Sequence, residues 1–247
     1  MKPFVRTLEQ SVAAYMRKDY ATALAGFTKL ADRGLADAQY KLGVMYEHGE
    51  GVPKDDAEAV KWYRMAADQG LVLGQNNLAA MYSKGEGVPK DDAEAVKWSR
   101  MAADQDDALA QYNLGMMHEH DEGVPKDDAE AVKWSRMAAD QGYALAQYNL
   151  GAKYDDGTGV PKDDAEAAMW YHKAADQGDA DAQNNLGVMY QNGEGVPENT
   201  VEAYKWFSLA AARGNKDAET NRHILEAAMT REQIVDAQRL VDQWKPG

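Results

Sequence analysis

Cysteine is absent from all 247 residues, which excludes disulfides, thiolate metal sites and thiol nucleophiles. Basic charge is scarce: 27 Lys and Arg stand against 41 Asp and Glu, a formal charge of −14. Phosphate backbones and anionic membrane surfaces are bound by clustered cations, so the charge balance weighs against nucleic acid and against lipid headgroups. No apolar run approaches the roughly 18 residues of a membrane span, and no membrane insertion is expected. The first ten residues, MKPFVRTLEQ, hold neither an apolar core nor a small-residue cleavage site, so no signal peptide is expected as written. That corresponds to a cytoplasmic protein, or to a periplasmic one if a signal was removed before Met1. The surplus of acid implies solubility and a preference for basic or neutral partners.

What the chain does have is a period. Trp62, Trp98, Trp134, Trp170 and Trp206 are evenly spaced, as are Pro53, Pro89, Pro125, Pro161 and Pro197. Leu42, Leu78, Leu114, Leu150 and Leu186 keep the same interval. Ala38, Ala110, Ala146 and Ala182 hold a small-residue position, with Gly74 in the remaining slot. Self-similarity of this length marks a repeat protein, in which each unit buries its apolar face against the next. The repeat fills residues 35–214, following an N-terminal capping pair in 1–34 that contains a degenerate half-unit from Asp19 to Gly34. Residues 215–247 are expected to form C-terminal capping helices.

Each unit reads as helix, loop, helix. Ala38, Leu42 and Tyr46 share one helical face, and Gly49, Gly51 and Pro53 then interrupt it. Ala59, Trp62, Tyr63, Ala66 and Ala67 recur at three- and four-residue steps in a second amphipathic helix, which Gly70 ends as a C-terminal cap. The loop GEGVPKDDAEAVKW occurs twice unchanged, at 49–62 and 85–98. It lacks the Lys-Ser or Lys-Thr of a phosphate loop, and its acids would repel phosphate. It also lacks the alternating ligands of a calcium loop. Asp55 with Glu58 three residues later predicts a reciprocal capping box, repeated as Asp91/Glu94, Asp127/Glu130 and Asp163/Glu166. In the last unit Asn199/Glu202 keeps capping chemistry but would cost a cation site a carboxylate.

The pattern carried by Ala38, Leu42, Gly43, Tyr46, Gly49, Gly51, Val52, Pro53, Ala59, Trp62, Ala66 and Ala67 resembles the Sel1-like repeat, a relative of the tetratricopeptide repeat. The resemblance spans five units, and MTREQIVDAQRLVDQW resembles the closing segment of many bacterial members. It implies an all-α fold, a right-handed α/α superhelical solenoid that serves as an adaptor or scaffold. Ala79, His118, Asp121 and Asp106 depart from the pattern, and the third unit is expected to be the least regular. At the ends, Leu8, Val12 and Tyr15 suggest a first helix. Ala218, Ile224 and Leu225 suggest a sixth first-helix, and Thr230 with Gln233 caps a last helix through Ile234, Ala237, Leu240, Val241 and Trp244.

Few residues remain unique, as a catalytic site would require. His118-Glu119-His120-Asp121 is the one local cluster with metal-ligand chemistry, but residues two apart diverge on a helix. No metal, cofactor or catalytic residue is expected. Taking the first helices as the inner, concave lining by analogy with tetratricopeptide proteins, three rows would face a groove. Tyr40, Asn76, Tyr112, Tyr148 and Asn184 form one, and Val44, Ala80, Met116, Ala152 and Val188 the second. Glu47, Ser83, Glu119, Asp155 and Gln191 form an acidic rim. Such a stripe suits an extended peptide or protein partner of basic or mixed charge, bound by a monomer. The alternative for the Tyr/Asn row is hydrogen bonding between helices, the role expected of Asn77, Asn113, Asn149 and Asn185. Two other functions remain open: an enzyme like the penicillin-interacting hydrolases suggested for some family members, and a regulator acting through self-association.

Overall fold

A computed structural model describes residues 2–246, which form fourteen α-helices and no strand. They are α1 (Lys2–Met16), α2 (Tyr20–Ala31), α3 (Ala36–His48), α4 (Asp56–Ala67), α5 (Val72–Lys84), α6 (Asp92–Ala103) and α7 (Ala108–His120), followed by α8 (Asp128–Asp140), α9 (Ala144–Asp156), α10 (Asp164–Asp176), α11 (Ala180–Asn192), α12 (Thr200–Ala212), α13 (Lys216–Glu226) and α14 (Arg231–Gln243). Two compact units divide the chain, Met1–Lys126 and Asp127–Gly247. Inside each unit, successive helices pack as tandem antiparallel hairpins, the arrangement of an α/α solenoid.

The second helix of every repeat starts on the expected cap. Asp55 accepts a hydrogen bond from the Glu58 N–H at 2.9 Å, and Asp91 from that of Glu94 at 3.0 Å. Asn199 does the same for Glu202 at 3.1 Å. The box is not reciprocal, however. The N–H of Asp55 is taken by the Tyr46 carbonyl at 2.9 Å, and that of Asn199 by Tyr190 at 2.8 Å. Glu58 therefore turns outward to Lys61, at 2.6 Å, instead of folding back. The hairpin itself satisfies the orphan donor, and among the described residues only Thr230 and Gln233, at the start of α14, form a complete box.

The two loop glycines have different tasks. Gly49, Gly85, Gly157 and Gly193 end the first helices in the left-handed conformation, and Asp121 does so with φ 59°. Asp106, likewise at φ 62°, stands where its counterparts are glycine. Asp tolerates this region better than most residues, so α7 keeps the length and register of its neighbours, and the third unit is not less regular as expected. The second loop glycine is constrained by its surroundings. A Cβ on Gly87 would lie 2.2 Å from the Asp56 carbonyl oxygen, and one on Gly195 would lie 2.0 Å from that of Asp164. There the loop rests directly on the first turn of the preceding repeat's second helix.

A buried glutamine in each repeat adds a second tie. Gln39, Gln75, Gln111, Gln147 and Gln183 donate to the carbonyls of Ala31, Ala67, Ala103, Ala139 and Ala175. Those carbonyls lie in the last turn of a helix, where the i+4 donor is lost, and each also accepts the N–H of Gly34, Gly70, Asp106, Gly142 or Gly178 in the turn that follows. The amides of Gln69, Gln105 and Gln177 then donate to Gln39, Gln75 and Gln147. The tryptophans from Trp98 to Trp206 are at most 5% exposed, while Trp62 is half-buried. At the ends the apolar pattern misleads. Val12 and Ile224 are exposed, and among the described residues the buried positions are Ser11 and Ala14 on α1 and Ala218 and Leu225 on α13. An end helix has a neighbour on one side only, so part of its apolar set stays in solvent.

Candidate functional site

The three predicted rows lie on α3, α5, α7, α9 and α11, and none of their residues is taken into the core. Ala80 is exposed; all the others, Tyr40 and Val44 among them, are half-buried. Steps of four and three residues keep each trio on one helical face.

The first row is anchored from behind. In the repeat of α3 and α4, the Tyr40 ring lies 5.8 Å from that of Tyr63. Tyr63 is fully buried and donates its hydroxyl to Glu47. Asn77, from the next first helix, lies at the hydroxyls of both tyrosines and opposes the upward push of burial on each. Burial, reinforced by the Glu47 carboxylate, holds the Tyr63 hydroxyl well above the usual tyrosine range. The set recurs on α9 and α10: Tyr148 lies 5.9 Å from Tyr171, which donates to Asp155 at 3.4 Å, and Asn185 reaches both hydroxyls. Asn77 and Asn185 thus have the interhelical role expected of them. Asn76 and Asn184 have one too: Asn76 donates to Asp107 at 2.9 Å, and Asn184 accepts from Asn221 at 3.0 Å. Glu47 and Asp155, expected as free rim charges, are hydrogen-bond acceptors for the core tyrosines.

The position that organises this network was legible in the sequence only as part of the second helix's amphipathic face. It is occupied in turn by Tyr63, Ser99, Ser135, Tyr171 and Phe207. Where it is aromatic, the ring covers a first-helix glycine so closely that a Cβ on Gly43, Gly151 or Gly187 would lie 2.6–2.7 Å from it. Where it is Ser99, the ring is missing and Ala79 replaces the glycine. A cavity of about 210 Å³ opens there on the first-helix face, reached past Asn76, Ala80 and Met116. The replacement of an aromatic residue by serine in two successive repeats, at Ser99 and Ser135, was the available signal. A second hollow of about 370 Å³ lies between α10 and the loop before α12, against Met169 and Val196, off the predicted stripe.

The histidine cluster is separated by the helix that carries it. α7 continues through His120, so His118 is buried while His120 is exposed. Among the described residues, no three His, Asp or Glu side chains come together as metal ligands. Also among them, no helix is long and apolar enough to cross a membrane.

Tandem hairpins with a half-exposed stripe on their first helices define an α-hairpin repeat protein. The model of the Sel1 repeat matches residues 36–71, 72–107, 108–143, 144–179 and 180–215, and the chain belongs to this family. Among solved structures it is similar to c5321, a protective antigen present in uropathogenic Escherichia coli strains that displays an SLR fold. Their identity is 36% and the TM-score 0.86, over 98% of this chain and 53% of that one. This chain therefore spans about half the length of that relative. It is also similar to a Sel1 repeat protein from Oxalobacter formigenes, with 35% identity and a TM-score of 0.81 over 85% of this chain and 87% of that one. No curated protein matches it. Sel1 repeat proteins generally mediate protein–protein interaction and are typically non-enzymatic.

Proposed function

We propose that the protein is an interaction scaffold that holds an extended segment of a partner protein along the first-helix face. The observation that carries this reading is the stripe itself. Fourteen of the fifteen residues in the three rows are half-buried, held by neighbouring helices yet open to solvent, and the other, Ala80, is exposed. A surface fixed from behind presents its contacts at little entropic cost. Val44, Met116 and Val188 offer apolar contact, while Glu119 and a net charge of −14 favour a basic or mixed segment. Affinity for one short peptide is expected near the micromolar range, about 8 kcal/mol, and should weaken with salt because exposed charges are screened within about 10 Å.

Crosslinked capture from the source cell, followed by competition between variants, tests the face. Ala80→Arg with Met116→Arg should lose the captured partner, whereas Met65→Arg with Met101→Arg, on exposed second-helix positions, should keep it. The opposite pattern would rule out the first-helix face. Light scattering at two concentrations checks the monomer; a mass that rises with concentration would favour the self-associating regulator instead.

A further inference from the structure

We infer that the cavity beside Ser99 is a specificity pocket for a single tyrosine side chain of the bound partner. This rests on the interaction face proposed above and names what one point along it recognises.

The protein supplies its own template for the occupant. Around Tyr63 stand Tyr40, Gly43, Glu47 and Asn77: a stacking ring, a glycine under the ring, and two groups at the hydroxyl. One repeat later the corresponding residues are Asn76, Ala79, Ser83 and Asn113, and all four line the cavity together with Ser99 and Met116. The same four positions, of which only the asparagine is kept, therefore enclose a volume with no ring of its own. Where the frame is filled the occupant is an aromatic ring, Tyr63, Tyr171 or Phe207, and at the two tyrosines the asparagine of the following first helix lies at the hydroxyl. Asn113 is that asparagine here, and Ser83 takes the place of the acid.

Ala79 decides the direction of entry. Its methyl group sits where the ring lies in the α3–α4 repeat, since a Cβ on Gly43 would come within 2.6 Å of the Tyr63 ring. Carbon atoms in contact prefer roughly 3.5–4 Å, so a ring here must sit about an ångström further out, toward Met116 and the open face. Thioether side chains suit such a position, because they make favourable contacts with ring edges. The volume of about 210 Å³ falls below the roughly 300 Å³ at which pockets for whole small molecules begin. It matches one side chain presented by a longer chain.

The test uses the full chain with its methionine methyl groups labelled for NMR, and p-cresol, the isolated tyrosine side chain, as the probe. Saturable millimolar shifts centred on Met116 and Met117 are expected, with toluene weaker because it lacks the hydroxyl for Asn113 and Ser83. Ala79→Gly with Ser99→Tyr installs the internal pair already used at Gly43 and Tyr63, and should weaken p-cresol binding by roughly tenfold or more. Ser83→Leu, at the rim of the cavity, should do the same without altering its floor. Absence of saturable shifts would overturn the proposal, as would equal binding by both variants. Binding of n-butylamine in preference to p-cresol would overturn it too, pointing to a lysine. None of these results depends on the captured partner, so the pocket can fail while the interaction face stands, and the reverse.

Discussion

Replacing Gly87 and Gly70 separately by alanine isolates what the second loop glycine does. Both have positive φ, +70° and +85°, so either alanine meets the left-handed penalty of about 1–2 kcal/mol. A Cβ on Gly70 meets nothing within 4 Å, while one on Gly87 meets the carbonyl oxygen of Asp56 at 2.2 Å, its carbon at 2.3 Å and the Ala57 nitrogen at 2.8 Å. All three are backbone atoms of α4, so no side chain can swing aside. Either the loop must lift or the first turn of α4 must shift. Overpacking of that kind costs about 1–3 kcal/mol in addition. Gly70→Ala should therefore lose about 1–2 kcal/mol, and Gly87→Ala about 2–5. The repeats already hint at the outcome: Asp106 occupies the Gly70 position in the next unit, whereas Gly51, Gly87, Gly123, Gly159 and Gly195 are never replaced. Urea unfolding followed by circular dichroism measures the difference as a midpoint shift at unchanged slope. Equal shifts for the two variants would refute the close-approach explanation and leave backbone conformation alone as the reason for glycine.

Asp91→Ala should cost about 1 kcal/mol and Asp91→Asn much less, since Asn199 caps α12 as Asp91 caps α6; thermal melts of the two variants distinguish capping from a charge-dependent role. Trp134→Ala should cost about 3–5 kcal/mol, and the intact chain's tryptophan emission should be that of an apolar site; a water-like maximum would contradict the burial. Tyr15, Tyr63 and Tyr171 have hydroxyls pushed upward, first by burial and then by neighbouring groups such as Glu50 and Glu47. A raised folded value stabilises the protein fully below the unfolded tyrosine range near 10 and is lost as pH rises toward the folded one. Absorbance at the phenolate band should accordingly show these rings ionising only as the fold opens. His118 is buried with both ring nitrogens unbonded. It is spaced from Arg100 as Tyr82 is from Arg64 and Tyr154 from Arg136, pairs that hydrogen-bond. His118→Tyr should therefore raise stability by about 0.5–1 kcal/mol, and a loss on melting would show that the site has no room for the ring.

The sequence by itself determined the helices, their boundaries and the repeat. Helix starts and stops depend on short-range chemistry: an aspartate oxygen over the first turn, a left-handed residue at the end, apolar residues on one face. On α3 Gly49 marks the end, and Ala38, Leu42 and Tyr46 mark one face, while the start at Ala36 carries no side-chain cap. The face bearing Tyr40, Val44 and Glu47 was legible for the same reason, because three- and four-residue steps fix which side chains emerge together. The tertiary structure decided whatever depends on a neighbouring repeat. The Tyr46 carbonyl takes the donor that the capping box needed, and the Asp56 carbonyl forbids a side chain at Gly87. Tyr63 binds Glu47 from behind, so a residue on the expected rim serves the core. The Ser99 cavity belongs to this class as well. A serine in a helix is unremarkable in sequence, and it becomes a hollow only because the positions that enclose a ring one repeat earlier hold Asn76, Ala79 and Ser83 here, with Asn113 alone retained, and none of them fills the space. Contacts between repeats join residues far apart in the chain, and neither helical periodicity nor local capping carries information at that range.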